Sequence, residues 1–310
     1  MTISVLRTTD GWWVQTPDGA LKVQTSATTT AALLADRSAL ETATGPAVPV
    51  ESLSLLSPVT RPCRVIAQMT NFASHVKDAG LDPKSIPLTF FRKSSASISG
   101  PFDPIVKPAH VRLLDYEVEI GLVIGRDIPA GTTISEQDLP GVIAGLVITD
   151  DVSARDIQLP QTQFYEAKSY PSFTPVGPAL VLLDTAELAR FGQLRLRLSV
   201  NGEQRQNAVV DGDMMYGPLK ALQSLIRFQD LSAGDLILTG TPVGTALSAP
   251  PKPVEIISRL LPPAVKWKAF FKAQASNPKY LKNGDVVEAS VRTDDGAIDL
   301  GTQRMTVKYA

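Results

Sequence analysis

The stretch from Asp115 to Gln158 limits the fold more than any other: DYEVEIGLVIGRDI, a loop-and-helix connection, then GLVITDDVSARDIQ. Val118, Ile120, Leu122 and Ile124 fall on one parity and Glu117, Glu119 and Gly121 on the other, which predicts a strand with one apolar face. Residues two apart on a strand lie roughly 6.5 Å from each other, so Glu117 and Glu119 are neighbours on one face. Two carboxylates that close raise each other's pKa unless a cation lies between them, and no Lys or Arg stands in the strand itself. Gly145 to Thr149 is a second short strand, ending on Asp150 and Asp151. Ser153 with Asp156 three residues later reads as a helix N-cap. Asp151 therefore sits at a strand-to-helix corner.

Glu117, Glu119 and Asp151 form an all-oxygen set suited to a hard divalent cation, Mg²⁺ or Mn²⁺. The same spacing also fits a solvent-facing strand row beside an ordinary turn, and spacing leaves both open.

The rest of the chain sets the frame. Its 310 residues, 44% of them hydrophobic, suffice for a large core in one or two domains. The net charge of −1 has no basic block, which speaks against nucleic acid or an anionic membrane as partner. Cys63 is the only cysteine, and no apolar run approaches the roughly 20 residues of a membrane span, so a cytoplasmic protein is expected. Short strands around Asp10-Gly11, a turn at Pro17-Asp18-Gly19 and a helical Thr28–Ala43 predict a small N-terminal domain over 1–58. Proline-punctuated chain then leads into a larger domain over 59–310. Asn71 reads as the cap of a helix ended by Gly80, with His75 and Asp78 on one face. Ser135 and Asp138 bracket a further short helix. Leu194 to Val200 alternates as a half-buried strand turned by Asn201-Gly202, and Gly217 to Phe228 is an amphipathic helix.

Other candidates each carry two readings. Arg155 and Gln158, three apart on a helix, can face one ligand, or Arg155 can be an ion pair with Asp156 or Asp184. Lys168 before SYPSFTPVGP is a solvated loop lysine or a site cation. The glycines of Thr239-Gly-Thr-Pro-Val-Gly244 make a tight turn or let backbone N–H groups and Thr241 approach an oxygen anion.

Taken together, D-Y-E-V-E, D-V-S-A-R-D-I-Q, Lys168 ahead of SFTPVGPAL, GDLILTGTPVG and LKNGDVVEASV resemble, in order, the motifs of the fumarylacetoacetate hydrolase family. The resemblance covers roughly residues 60–245 and 281–308. It implies an α/β, β-rich fold with a mixed sheet rolled around the site, and a homodimer. It further implies Glu117, Glu119 and Asp151 as metal ligands, with His75 as general base oriented by Asp78. Lys168 would stabilise an enolate, and Arg155, Gln158 and Thr241 would touch a small 2-oxo acid substrate. The leading expectation is hydrolytic carbon–carbon cleavage of an acylpyruvate or related β-diketo acid. Decarboxylation, isomerisation or dehydration of a 2-oxo acid is the alternative on the same fold, and a non-catalytic binding protein a lesser one. Two departures stand out: Phe72 replaces the family's usual tyrosine, and Ala246 a frequent glycine.

Residues 246–283 have no counterpart in the resemblance. A proline-rich segment precedes a helix from Ala264 to Ala275, with Ala264, Trp267, Phe270, Phe271 and Gln274 on one face. That face predicts either packing, on the core or across a dimer, or a wall or lid at the pocket.

Overall fold

The structure, a computed structural model, describes residues 2–161, 164–247 and 262–310. Its first strands, β1 (Ile3–Thr8), β2 (Gly11–Thr16) and β3 (Gly19–Lys22), form the expected hairpins, and β4 (Val65–Met69) and β5 (Thr89–Lys93) follow. After the short β6 (Ile98–Ser99), β7 (Ile105–Lys107) and β8 (Leu114–Asp115) come β9 (Val118–Ile124) and β10 (Ile143–Asp150). Then come β11 (Ser153–Ala154), β12 (Thr174–Pro175), β13 (Leu180–Leu182), β14 (Leu194–Val200) and β15 (Glu203–Val209). The last are β16 (Leu236–Leu238), β17 (Val286–Thr293) and β18 (Asp299–Tyr309). The result is the α/β, sheet-rich architecture with mixed sheets that the sequence implies.

Nine strands form the main sheet in the order β3-β2-β1-β13-β10-β9-β16-β4-β5, parallel only where β16 meets β4. The N-terminal strands thus continue this sheet through the β1–β13 pairing rather than forming one of their own. A second sheet, β15-β14-β17-β18-β7, packs its alternating face (Leu194, Leu196, Leu198, Val200) with Val118, Ile120, Leu122 and Ile124 in one core. On the opposite face, Val123, Val147, Leu236 and Leu238 pack with Leu33 and Leu40 of the helices Thr30–Ala35 and Arg37–Glu41.

This double cover corrects the expectation of a strand with one apolar face. Every residue of β9 is buried, so any carboxylate at its end must find partners inside the protein. Two caps also differ from expectation. The helix over Ala73–Asp78 starts after Phe72 with no side-chain cap. Asn71 instead binds Tyr216 O at 3.0 Å and Thr239 O at 2.8 Å, tying the loop after β16 to that helix. Ser153 lies in β11, its hydroxyl donating to Asp151 O, and the next helix begins at Arg155. Asp156 accepts from the Arg112 and Leu113 amides. The Ser135–Asp138 capping box and the Pro218–Ile226 helix form as the sequence predicts.

Candidate metal centre and active site

The antiparallel register of β9 and β10 assembles the acidic set. Glu119 lies opposite Thr149 and Val118 opposite Asp150, so the next pair out is Glu117 and Asp151, whose amide donates to Glu117 O at 2.9 Å. Cross-strand partners project to the same face. Glu117, Glu119 and Asp151 therefore converge, each offering an oxygen within 4.8 Å of the others, and all three are buried.

Three cations from distant segments meet them. Lys168 Nζ donates to Glu117 Oε2 and Asp151 Oδ2, both at 2.6 Å. Lys93 Nζ donates to Asp151 Oδ1 and, at 2.8 Å, to Phe173 O. Arg155 pairs through NH2 with Glu117 Oε1, through Nε with Asp115 Oδ2 at 2.9 Å, and through NH1 with Gln158 Oε1 at 2.8 Å. Its partners are thus site carboxylates, not Asp156 or Asp184. Lys93 closes the edge strand β5, four strand positions from β10 in the sheet order, a span of roughly 19 Å if the sheet were flat. The direct Lys93–Asp151 pair therefore requires the sheet to roll around the site.

The electrostatics follow. Burial would raise the Glu117 carboxyl, but Arg155 and then Lys168 outweigh it and hold it well below the usual range. Burial, then the negative charges of Asp151 and Glu117, push Glu119 well above it. Burial also raises Asp150 to about 7; its Oδ1 accepts the Glu117 amide at 2.7 Å and its Oδ2 has no partner. Lys168 is raised: burial opposes its charge, but Asp151 and Glu117 prevail.

A cavity of about 60 Å³ opens onto this cluster, lined among others by His75, Arg155, Gln158, Lys168, Gly240 and Thr241. His75 Nδ1 is buried without a partner. The structure does not join Asp78 to it: no hydrogen bond or ion pair connects the two among the described residues, and Asp78 does not line the cavity. The Thr241 hydroxyl donates to Val118 O at 2.9 Å and accepts from Gln206 Nε2 at 2.8 Å, so its proton is committed to the framework. Lys93, Asp115, Asp150 and Gln206 escaped the sequence reading. Asp115 stood within the key motif, whereas a lysine ending T-F-F-R-K carries no local sign of burial.

The donor set fits a hard divalent cation: three clustered carboxylates, one of them, Glu119, with no ion-pair partner among the described residues. Enzymes of the family whose motifs this chain carries generally use divalent metals.

Comparison with known proteins agrees with this geometry. The family model described as fumarylacetoacetate (FAA) hydrolase C-terminal matches residues 64–308. Oxaloacetate tautomerase Fahd2a, mitochondrial, of Rattus norvegicus is 36% identical over 207 residues, 66% of this chain. The match spans 64% of that relative, less than two thirds of its length. Among solved structures, fumarylacetoacetate hydrolase from Exiguobacterium antarcticum superposes with a TM-score of 0.72 at 26% identity, covering 100% of both chains. The 5-carboxymethyl-2-hydroxymuconate delta-isomerase from Mycobacterium smegmatis gives 0.70 at 25%, again over 100% of both. With its carboxylate register, its rolled sheet and a family match over most of its length, the chain belongs to the fumarylacetoacetate hydrolase family.

Proposed function

We propose that this protein is a divalent-metal-dependent tautomerase or isomerase of a small 2-oxo acid, moving a proton between carbon and oxygen. The observation that carries the reading is His75, whose buried Nδ1 has no hydrogen-bond partner and whose ring forms no hydrogen bond or ion pair with a carboxylate among the described residues. Activating water for carbon–carbon hydrolysis favours a base that an acid holds and compensates. Keto–enol interconversion asks only for a positioned base that takes a proton from carbon and returns it. Burial lowers the His75 pKa, with Glu117 opposing, which favours the neutral, proton-accepting imidazole.

Held by Glu117, Glu119 and Asp151, Mg²⁺ or Mn²⁺ would supply a Lewis acid for the substrate's oxygens. Lys168 and Arg155 bring fixed positive charge to the same wall, where a developing enolate would be stabilised. Gln158 holds the Arg155 fork and Thr241 braces the loop carrying the Gly240 amide. The names of the rat relative and of the M. smegmatis structure support tautomerase or isomerase chemistry, whereas the E. antarcticum structure bears the name of a hydrolase.

The test follows enol decay of oxaloacetate in parallel with pyruvate release from an acylpyruvate, each with Mg²⁺ and Mn²⁺. Accelerated enol decay without pyruvate release is expected. Pyruvate and a carboxylic acid formed from the acylpyruvate would overturn the proposal in favour of hydrolysis.

A further inference from the structure

Asp115 is fully buried and does not line the cavity, yet it takes four N–H donors. Its Oδ1 accepts from the Tyr116 amide at 2.9 Å and the Ala246 amide at 2.7 Å. Its Oδ2 accepts from the Leu247 amide at 3.1 Å and from Arg155 Nε at 2.9 Å. The remaining Arg155 nitrogens are spoken for by Gln158 and Glu117. A guanidinium is a rigid plane, so gripping Nε fixes where the other two nitrogens point. On the far side, Ala246 O accepts from Asn277 Nδ2 at 2.9 Å. Ala246 and Leu247 directly precede residues 248–261, and Asn277 follows the helix Pro263–Gln274. One carboxylate outside the cavity therefore ties both roots of the inserted segment to the arginine that holds a candidate metal ligand.

We infer that Asp115 is a positioning residue, which orients Arg155 and through it sets how strongly the Glu117–Glu119–Asp151 centre holds a divalent cation. The inference rests on the metal reading given above. Two effects act in one direction. Without the Asp115 charge, Arg155 has, among the described residues, only Glu117 as an anionic partner and draws it away from a metal. Without the grip on Nε, the fork no longer holds Glu117 Oε1 in place. Partners behind metal ligands commonly govern affinity in this way.

The test titrates the full-length protein with Mn²⁺ alone, reading free Mn²⁺ by electron paramagnetic resonance. Asp115→Asn is expected to weaken Mn²⁺ binding by about 10- to 100-fold. In an Arg155→Met background the same substitution should change it by less than about twofold, because the two act as one unit. Equal losses in both backgrounds would mean that Asp115 acts through the 246–247 backbone, which overturns the inference, as does an unmoved Asp115→Asn. Arg155→Lys keeps the charge but loses the fork, and serves if Asp115→Asn does not fold. It should also lose affinity, and unchanged Mn²⁺ binding there is equally fatal. Wild-type protein that binds no Mn²⁺ overturns the metal reading and this inference together, whereas wild-type binding with unmoved variants overturns the inference alone.

Discussion

The Gly240 amide donates to Glu119 Oε2 at 2.7 Å, and among the described residues it is that carboxylate's only hydrogen-bond donor. Glu117 has Arg155 and Lys168, and Asp151 has Lys93 and Lys168. Among the described residues, Glu119 alone of the three forms no ion pair. It is the candidate ligand that no ion pair compensates among the described residues, and the one that would most favour a bound cation.

Glu119→Gln should therefore weaken Mn²⁺ binding by at least about tenfold without loss of the fold. A carboxyl raised in the folded state contributes stability that is full below its unfolded value, about 4.3, and lost as pH rises through the raised one. The metal-free variant, whose amide keeps the acceptor for Gly240, should be at least as thermostable as wild type at neutral pH. Thermal melts after chelation check this; a less stable variant with intact Mn²⁺ binding would remove Glu119 from the centre.

Asp150 gives a second pH signature. Its pKa of about 7 in the folded state exceeds the ordinary aspartate value of about 3.9. Metal-free protein should lose stability as pH rises between these values and level off above them. Asp150→Asn keeps the acceptor for the Glu117 amide and replaces the unpartnered Oδ2 with an uncharged group. It should flatten that part of the melting-temperature profile, and a profile identical to wild type would show that Asp150 does not titrate there.

The separation of His75 from Asp78 predicts unequal variants. His75→Ala should lower tautomerase or isomerase turnover by about 10²–10⁴ while Mn²⁺ binding persists. Asp78→Asn should leave turnover nearly unchanged, because no hydrogen bond or ion pair links it to the imidazole among the described residues. Equal losses in steady-state kinetics would restore the acid–base pair that the family resemblance implies.

Gly240 is needed for its backbone. Its φ is +86°, and an added Cβ would stand 2.8 Å from the Asn71 Cβ. Gly240→Ala should cost about 1–2 kcal/mol from the left-handed conformation alone and shift the amide that serves Glu119. Thermal melts and Mn²⁺ titration should fall together; a fall in stability with unmoved Mn²⁺ affinity would separate the loop from the ligand.

How far the sequence could be read follows from which relationships are local. The parity of Glu117 and Glu119, the Asn201-Gly202 turn and the Ser135–Asp138 box are properties of a few adjacent residues, and they appear where the pattern put them. The Lys93–Asp151 pair depends on a sheet rolled through four strand positions, which no short pattern reports. Asn71 and Ser153 have the composition of helix caps but bond elsewhere, Asn71 to the distant Tyr216 and Thr239 carbonyls and Ser153 to the Asp151 carbonyl two residues back. The His75–Asp78 spacing shows only that both lie on one helix face; it cannot show whether the imidazole faces the acid or the cavity.

The inserted segment supplies the last prediction. Of its aromatic trio, Phe271 is the one that packs against the main core, with Arg112 over its ring at 5.5 Å. Trp267 stacks on Phe271 at 5.8 Å and Phe270 meets both edge-on, while Lys266, Lys268 and Lys272 are exposed. The helix is thus fastened through Phe271, with Trp267 and Phe270 layered outside it. Phe271→Ala should remove this anchor along with a cation–π contact of about 0.5–1 kcal/mol. Trp267→Ala removes only an aromatic pairing, about 0.5–1.5 kcal/mol. Limited trypsin digestion should cut at Lys268 and Lys272 much faster in Phe271→Ala than in Trp267→Ala, with Mn²⁺ binding unchanged in both. Faster cutting in Trp267→Ala would instead make the outer aromatic face the one that secures the helix, against this protein's core or a second copy.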